Sequence, residues 1–148
     1  MYVTEVLSAD DVYLDMAVTK KGDVIELLGK LAEGKGAPDA AECRNSLLAR
    51  ERLGSTGLGE GIAIPHAKIN NLERPVALFV RLARPIDFGA PDEEPVDLLL
   101  MLIMPPDHAP EHLKILSSFA RVLRKEGTAS RLRGAKTPQE VIEVLVGA

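Results

Sequence analysis

The sequence predicts an α/β layer architecture within one domain. Two observations carry that prediction. Segments with helical spacing alternate along the chain with short strand-like runs, and one run, Val96–Met104, is nearly continuously apolar, as a central strand buried on both faces must be. At 148 residues and 16.0 kDa the chain can bury a sizeable core but is too short for two ordinary domains, so residues 1–148 are expected to form a single one.

Each element follows from local pattern. Val24, Leu27, Leu28 and Leu31 recur at helical spacing and make an amphipathic first helix ending near Gly34. Pro38 opens a second helix on which Cys43 and Leu47 share a face; Gly54 ends it, leaving Arg50 near its C-terminal turn. Cys43 reads as a small core residue. Ile62, Ala63 and Ile64 read as a short buried strand, and because Pro65 cannot donate to a ladder the pairing is predicted to stop there, leaving His66 at a strand end facing a cleft. Residues 76–82 form a further strand, broken at Arg84 and Pro85, and Pro105 and Pro106 terminate the central one. The next helix, begun by Pro110, is predicted to bury Leu113, Leu116, Ala120 and Leu123, with Arg121, Arg124 and Lys125 outside that stripe. A shorter helix starts after Thr128. In the last one Thr137 and Glu140 spell a capping box, Pro138 takes the first helical position, and Val141, Ile142 and Leu145 supply the apolar face.

Composition excludes several function classes. A formal net charge of −4 and a pI near 5.4, with no run of lysine or arginine, argue against a nucleic-acid partner. The N-terminal MYVTEVLSADD carries acids where a signal peptide has its basic segment, and the apolar run at 96–104 is far too short to cross a bilayer, so no direct membrane insertion is expected. A single cysteine permits no internal disulfide, which suits a reducing compartment, and the cytoplasm is the expected location.

The chemistry concentrates in residues 54–66, GSTGLGEGIAIPH. Glycines at 54, 57, 59 and 61 allow positive φ and close approach to a partner or an anion, a freedom with a conformational entropy cost that a mere connector has no reason to carry. A lone histidine is more often a satisfied, partly buried residue than a reactive one; one delivered by such a loop is a candidate nucleophile. The run, with Arg50 four residues before its start, resembles the active-site segment of the fructose/mannitol class of IIA domains in the bacterial phosphoenolpyruvate-dependent phosphotransferase system, and is most similar to the free-standing nitrogen-related branch. The resemblance spans nearly the whole chain. It implies a mixed sheet flanked by helices on both faces, a phosphoryl group accepted on Nε2 of His66 from a histidine phosphocarrier protein, a second active-site histidine at His112 in the dipeptide with Leu113, and an arginine at Arg50. It calls for no cofactor and no metal.

Each residue type has a chemical reason to be there. Neutral imidazole is a good nucleophile near its ordinary pKa of about 6.5, and phosphoryl transfer asks the protein chiefly for positioning and charge stabilisation. Arg50 can present a planar fork of donors to phosphoryl oxygens, or simply be a solvated helix residue beside Glu51 and Arg52. His112 falls in the first turn of a helix, where free N–H groups favour an anion, or is an exposed first-turn residue. Ser55 and Thr56 stabilise turns, and the Thr56 hydroxyl can also reach a phosphate. Gly57 supports the loop. Glu60 would repel a phosphoryl group, so its use is to orient an imidazole or bond loop amides.

Two readings from other classes compete. His66, His108, His112 and Glu111 are potential metal ligands, but Pro110 between His108 and His112 leaves His108 outside the helix and spoils their shared face. A pure binding module with a structural glycine loop predicts no phosphoryl acceptance. Within the carrier reading, a sugar-transport IIA component would pass its phosphoryl group to a IIB domain, whereas GIAIPHAK is more similar to the nitrogen-related type, whose members regulate potassium, nitrogen or carbon metabolism through target proteins.

Overall fold

Residues 96–104 are buried at nearly every position. In the computed structural model, which describes residues 5–107 and 109–147, the chain lays down β1 (Val12–Met16), α1 (Lys21–Glu33), α2 (Ala40–Leu53), β2 (Gly57–Gly59), β3 (Ile62–Ala63), β4 (His66–Lys68), β5 (Val76–Ile86), β6 (Val96–Met104), α3 (Ala109–Arg124), α4 (Thr128–Gly134) and α5 (Pro138–Gly147). The strands form one sheet in the order β1-β5-β6-β3-β2, with β4 also paired to β6. β1 runs parallel to β5, and β3 and β4 run parallel to β6, while β5–β6 and β2–β3 are antiparallel, so the sheet is mixed.

Alternation along the two long strands divides their side chains between two cores. Leu78 and Val80 of β5 and Leu99, Met101 and Ile103 of β6 pack with Val24, Ile25 and Leu28 of α1 and Cys43 and Leu47 of α2. Ala77, Phe79, Leu98, Leu100 and Leu102 face the other way, onto Phe119 of α3, Leu132 of α4 and Val141 of α5. A doubly buried sheet therefore sits between two helical layers. Burial pushes the Cys43 thiol up to about 12, so this residue is a core side chain and not a nucleophile. On the α1–α2 side the helices approach closely at Gly29, where a Cβ would sit 2.7 Å from the Ala40 carbonyl oxygen.

Several elements differ from their sequence prediction. α2 begins at Ala40 and not at Pro38, because Asp39 is its N-cap: the Asp39 carboxylate accepts from Ala41 N at 2.9 Å, and Glu33 reaches back to accept from Ala40 N at 3.0 Å. β1 was not anticipated. Its pairing slips between Tyr13 and Met16, and Asp15 takes φ 55°, which breaks the alternation a strand search relies on. β5 continues through Pro85 because its register against β6 shifts between Arg81 and Ile86, placing the proline in an irregular stretch. α3 buries His112, Ile115, Phe119 and Leu123, and Leu113 is 65 % exposed. Ile115 and Phe119 bring more apolar surface than the predicted stripe, and they set the helix's rotation about its axis. In the last helix, Glu140 N donates to Thr137 Oγ1 at 3.2 Å, while the Glu140 carboxylate accepts from Lys136 N, one residue earlier than a regular capping box.

Arg81 ties the sheet to α4. Its Nη1 donates to the carbonyls of Leu132 at 3.0 Å and Ala135 at 2.6 Å, and its Nη2 pairs with Asp15 at 3.1 Å. The guanidinium thus satisfies carbonyls that a helix end otherwise leaves without partners. Arg81→Leu orphans them and is expected to cost about 3 kcal/mol in chemical denaturation. Asp15→Ala, which removes a carboxylate that is 70 % exposed, should cost under about 1 kcal/mol.

Candidate functional site

The glycine loop is fixed at its start by a buried carboxylate. Glu51 lies on the buried face of α2, and its oxygens accept from Thr56 N at 3.3 Å, from the Thr56 hydroxyl, and from Lys21 Nζ at 2.9 Å. Lys21 in turn donates to Phe88 O at 2.8 Å, with its ammonium 4.3 Å from the centre of the Phe88 ring. Four parts of the chain, α1, α2, the loop and the 87–90 segment, thus converge on one ion pair. Sequence reasoning passed over Glu51 and Lys21. The signal for Glu51 was its helical spacing from Cys43 and Leu47, which puts all three on one face. Ser55 Oγ accepts from Gly57 N at 3.1 Å, the turn role expected of it. A Cβ on Gly57 would lie 2.9 Å from Ala90 Cβ, so close approach to the 87–90 segment is what this glycine provides.

The strand after the loop pauses at proline and then resumes. Pro65 has no N–H, but its carbonyl still accepts from Leu102 N at 2.9 Å, and pairing with β6 restarts at His66 opposite Leu102. His66 therefore opens β4, where the sequence placed it at the end of a ladder. Its Nδ1 lies 2.8 Å from the Ile64 carbonyl oxygen. A carbonyl can only accept, so Nδ1 carries the proton and the lone pair of the neutral ring is on Nε2. The His66 pKa is lowered from the ordinary 6.5, first by desolvation; the Arg50 charge adds to the lowering, and the Ile64 hydrogen bond and the Glu51 charge oppose it.

His66 stands between two clefts. The first, about 680 Å³, is lined by Arg50, His66, Lys68 and His112, with Leu53, Leu113 and Leu116 as its apolar walls. The second, about 290 Å³, is lined by Ser55, Thr56 and Gly57 on one side and Ser117 and Arg124 on the other. Arg50 Nη1 donates to Gly54 O at 2.8 Å, and the other guanidinium donors have no partner among the described residues. His112 is buried, at 5 % exposure, as the fourth residue of α3. The histidines meet because β4 pairs with the second half of β6 and the chain turns from the end of β6 into α3.

Glu60 is not brought to this place. With φ of 56°, and with Gly61 at 79°, it forms the two-residue tip of the β2–β3 hairpin. Its carbonyl accepts from Arg133 Nη2 at 2.5 Å, and Arg133 pairs with Asp97 at 2.8 Å. Its support of the loop is thus through the backbone. His108 lies outside the described residues, and among those described no group of three or more His, Cys, Asp or Glu is placed to hold a metal ion.

Residues 5–147 match the family described as the phosphoenolpyruvate-dependent sugar phosphotransferase system, EIIA 2. The chain belongs to this family. Among curated relatives, this EIIA domain is similar to a nitrogen regulatory protein of Bradyrhizobium diazoefficiens, with 39 % identity over 98 % of this chain and 95 % of the relative. It is also similar to a fructose-specific EIIA component of Haloferax volcanii, 38 % identical over 86 % of this chain and 82 % of that one. Among solved structures, the nitrogen regulatory protein IIA-Ntr of Neisseria meningitidis superposes with a TM-score of 0.93 at 34 % identity, covering 98 % of this chain and 99 % of that one. The mannitol IIA of Escherichia coli, 24 % identical with a TM-score of 0.80 over 94 % of this chain and 98 % of that one, shares the fold. No helix of the described residues is long and apolar enough to cross a membrane.

Two predictions follow from this geometry. Because desolvation favours neutral His66, the unfolded chain binds more protons than the folded one between the lowered pKa and 6.5, so stability falls as pH drops through that window. NMR titration of the ring should give a midpoint below 6.5, and His66→Gln should flatten that part of the stability profile. Glu60→Asn puts a residue more tolerant of positive φ at the hairpin tip and should raise stability by up to about 1 kcal/mol in thermal unfolding, without shifting the titration of the His66 ring.

Proposed function

We propose that this EIIA domain is a phosphohistidine carrier: His66 accepts a phosphoryl group from a histidine phosphocarrier protein, and the phosphorylation state regulates nitrogen, carbon or potassium metabolism through target proteins. The observation that carries the reading is the disposition of His66, whose Nδ1 is occupied by Ile64 O while Nε2 bears the lone pair beside Arg50 and His112. In the transfer step Nε2 attacks phosphorus, the new N–P bond forms as the donor's N–P bond breaks, and the electron pair of that bond stays with the donor ring. Nδ1 keeps its proton and goes on donating it to Ile64 O. Neither Arg50 nor His112 need accept the group; Arg50 offers free guanidinium donors to the charge spread over the transferring oxygens. The lowered His66 pKa keeps the nucleophile neutral at ordinary pH. Thr56 and Gly57 hold the loop that delivers it.

Similarity to nitrogen regulatory proteins over nearly the whole chain supports the regulatory role. Similarity to a fructose-specific component favours a second reading, in which the group passes onward to a IIB domain. Incubation with phosphoenolpyruvate, the first enzyme of the system and the phosphocarrier protein, followed by intact-mass analysis, should show one acid-labile phosphoryl group. His66→Ala should abolish it, and label retained in that variant overturns the assignment. Arg50→Ala and His112→Ala should each slow phosphorylation by about 10² to 10³ if each removes a contact made in the transition state, and NMR should place the group on Nε2. Rapid onward transfer to a IIB domain would select the second reading.

A further inference from the structure

The His66 clefts continue into a groove whose charge is unlike that of the rest of the molecule. Leu116 lines both the Arg50–His112 cleft and the cleft of the glycine loop. From there Ser117, Ala120 and Arg124 extend the second cleft into a third, which Arg121 and Lys125 complete. Five cations, Arg50, Lys68, Arg121, Arg124 and Lys125, line this continuous surface, and no carboxylate does. None of the five forms an ion pair among the described residues. The chain as a whole carries a net charge of −4, and the depression beneath the β2–β3 hairpin is lined by Glu60, Asp92, Glu94 and Asp97 against one cation, Arg133, which is paired with Asp97. Charge is thus segregated. The groove is also apolar at one end: Leu53 and Leu113, 85 % and 65 % exposed, stand on its rim.

We infer that this groove along the outer face of α3 binds an acidic protein segment carrying apolar side chains. A transferring phosphoryl group accounts for Arg50 beside His66. It does not account for Arg121 and Arg124 in the last turn of α3 or Lys125 just past its end, whereas His112 lies in the first turn. A row of carboxylates does. Exposed leucines at the near end suit apolar anchors, and a long polyanion such as duplex DNA would meet the acidic end of the same molecule. Resting on the reading of His66 as phosphoryl acceptor, a consequence follows: a phosphoryl group there engages the same cations as the carboxylates nearest His66, so the acidic segment prefers the unphosphorylated protein.

The test is fluorescence anisotropy of a labelled synthetic peptide of glutamate pairs spaced by leucine, titrated with the full chain. Binding should be saturable and weaken about tenfold on going from low to physiological salt. The R121E/R124E/K125E variant, its fold verified by thermal unfolding, should bind about tenfold or more weakly, and Leu53→Ala with Leu113→Ala should weaken binding at any salt. Glu94→Lys, at the acidic end, should not weaken it. Parent-like affinity in the triple variant overturns the proposal, as does tighter binding of duplex DNA or anionic vesicles than of the peptide. Enzymatically phosphorylated protein should bind less well, and unchanged affinity once mass analysis shows His66 modified overturns the shared-cation step. Failure of His66 to be phosphorylated at all counts against the carrier reading alone, because the groove is measured on unmodified protein.

Discussion

The two-sided burial of β6 organises the molecule. A strand that is apolar on both faces must be covered on both, so α1 and α2 have to occupy one side and α3, α4 and α5 the other. Covering it also fixes where the candidate site can form. β3 and β4 lie in succession along one edge of β6, and α3 departs from its carboxyl end, so His66 and His112 arrive at one rim from positions far apart in sequence. A central strand with a polar face would allow a single helical layer and would leave the second histidine without a wall to be mounted on.

On that scaffold the site is held by two polar devices. Glu51 gathers Lys21 and Thr56 and sets where the glycine loop leaves α2; Arg133, paired to Asp97, holds the far tip of the same loop through the Glu60 carbonyl. Between them the hairpin is anchored at both ends, and the imidazole that follows is oriented by a backbone carbonyl of its own segment. Backbone anchoring makes the ring's orientation independent of any side-chain base that a docking surface could displace.

Much of this was legible in the residues and part was not. The apolar run at 96–104, the helical spacing in α1 and the glycine-to-histidine segment each state their role locally. β4 did not, because a proline removes only its own donor, and a carbonyl that goes on accepting leaves no mark in the sequence. β1 was hidden by a left-handed residue at Asp15. The rotation of α3 was misread because His112 was treated as polar and Leu113 as core, when bulk at Ile115 and Phe119 decides the face and puts the histidine inside. Glu51 escaped because a carboxylate on an apolar face reads as an exception until its partners, remote in the chain, are seen around it.

The contact at Gly29 acts on this site as a fulcrum. The Ala40 carbonyl oxygen lies only 2.7 Å from where a Cβ at residue 29 would be, and Ala40 is the first residue of α2, with Arg50 about 15 Å further along the same rigid axis. A methyl there would press against one end of a lever whose other end carries the guanidinium beside His66 and, one residue on, the carboxylate that holds the loop. The alignment of the candidate site is thus set in part by the absence of a single carbon atom at the far end of a helix, in a residue with no side chain to take part in any chemistry. Natural variation weighed by distance from His66 would rank this position among the unimportant ones.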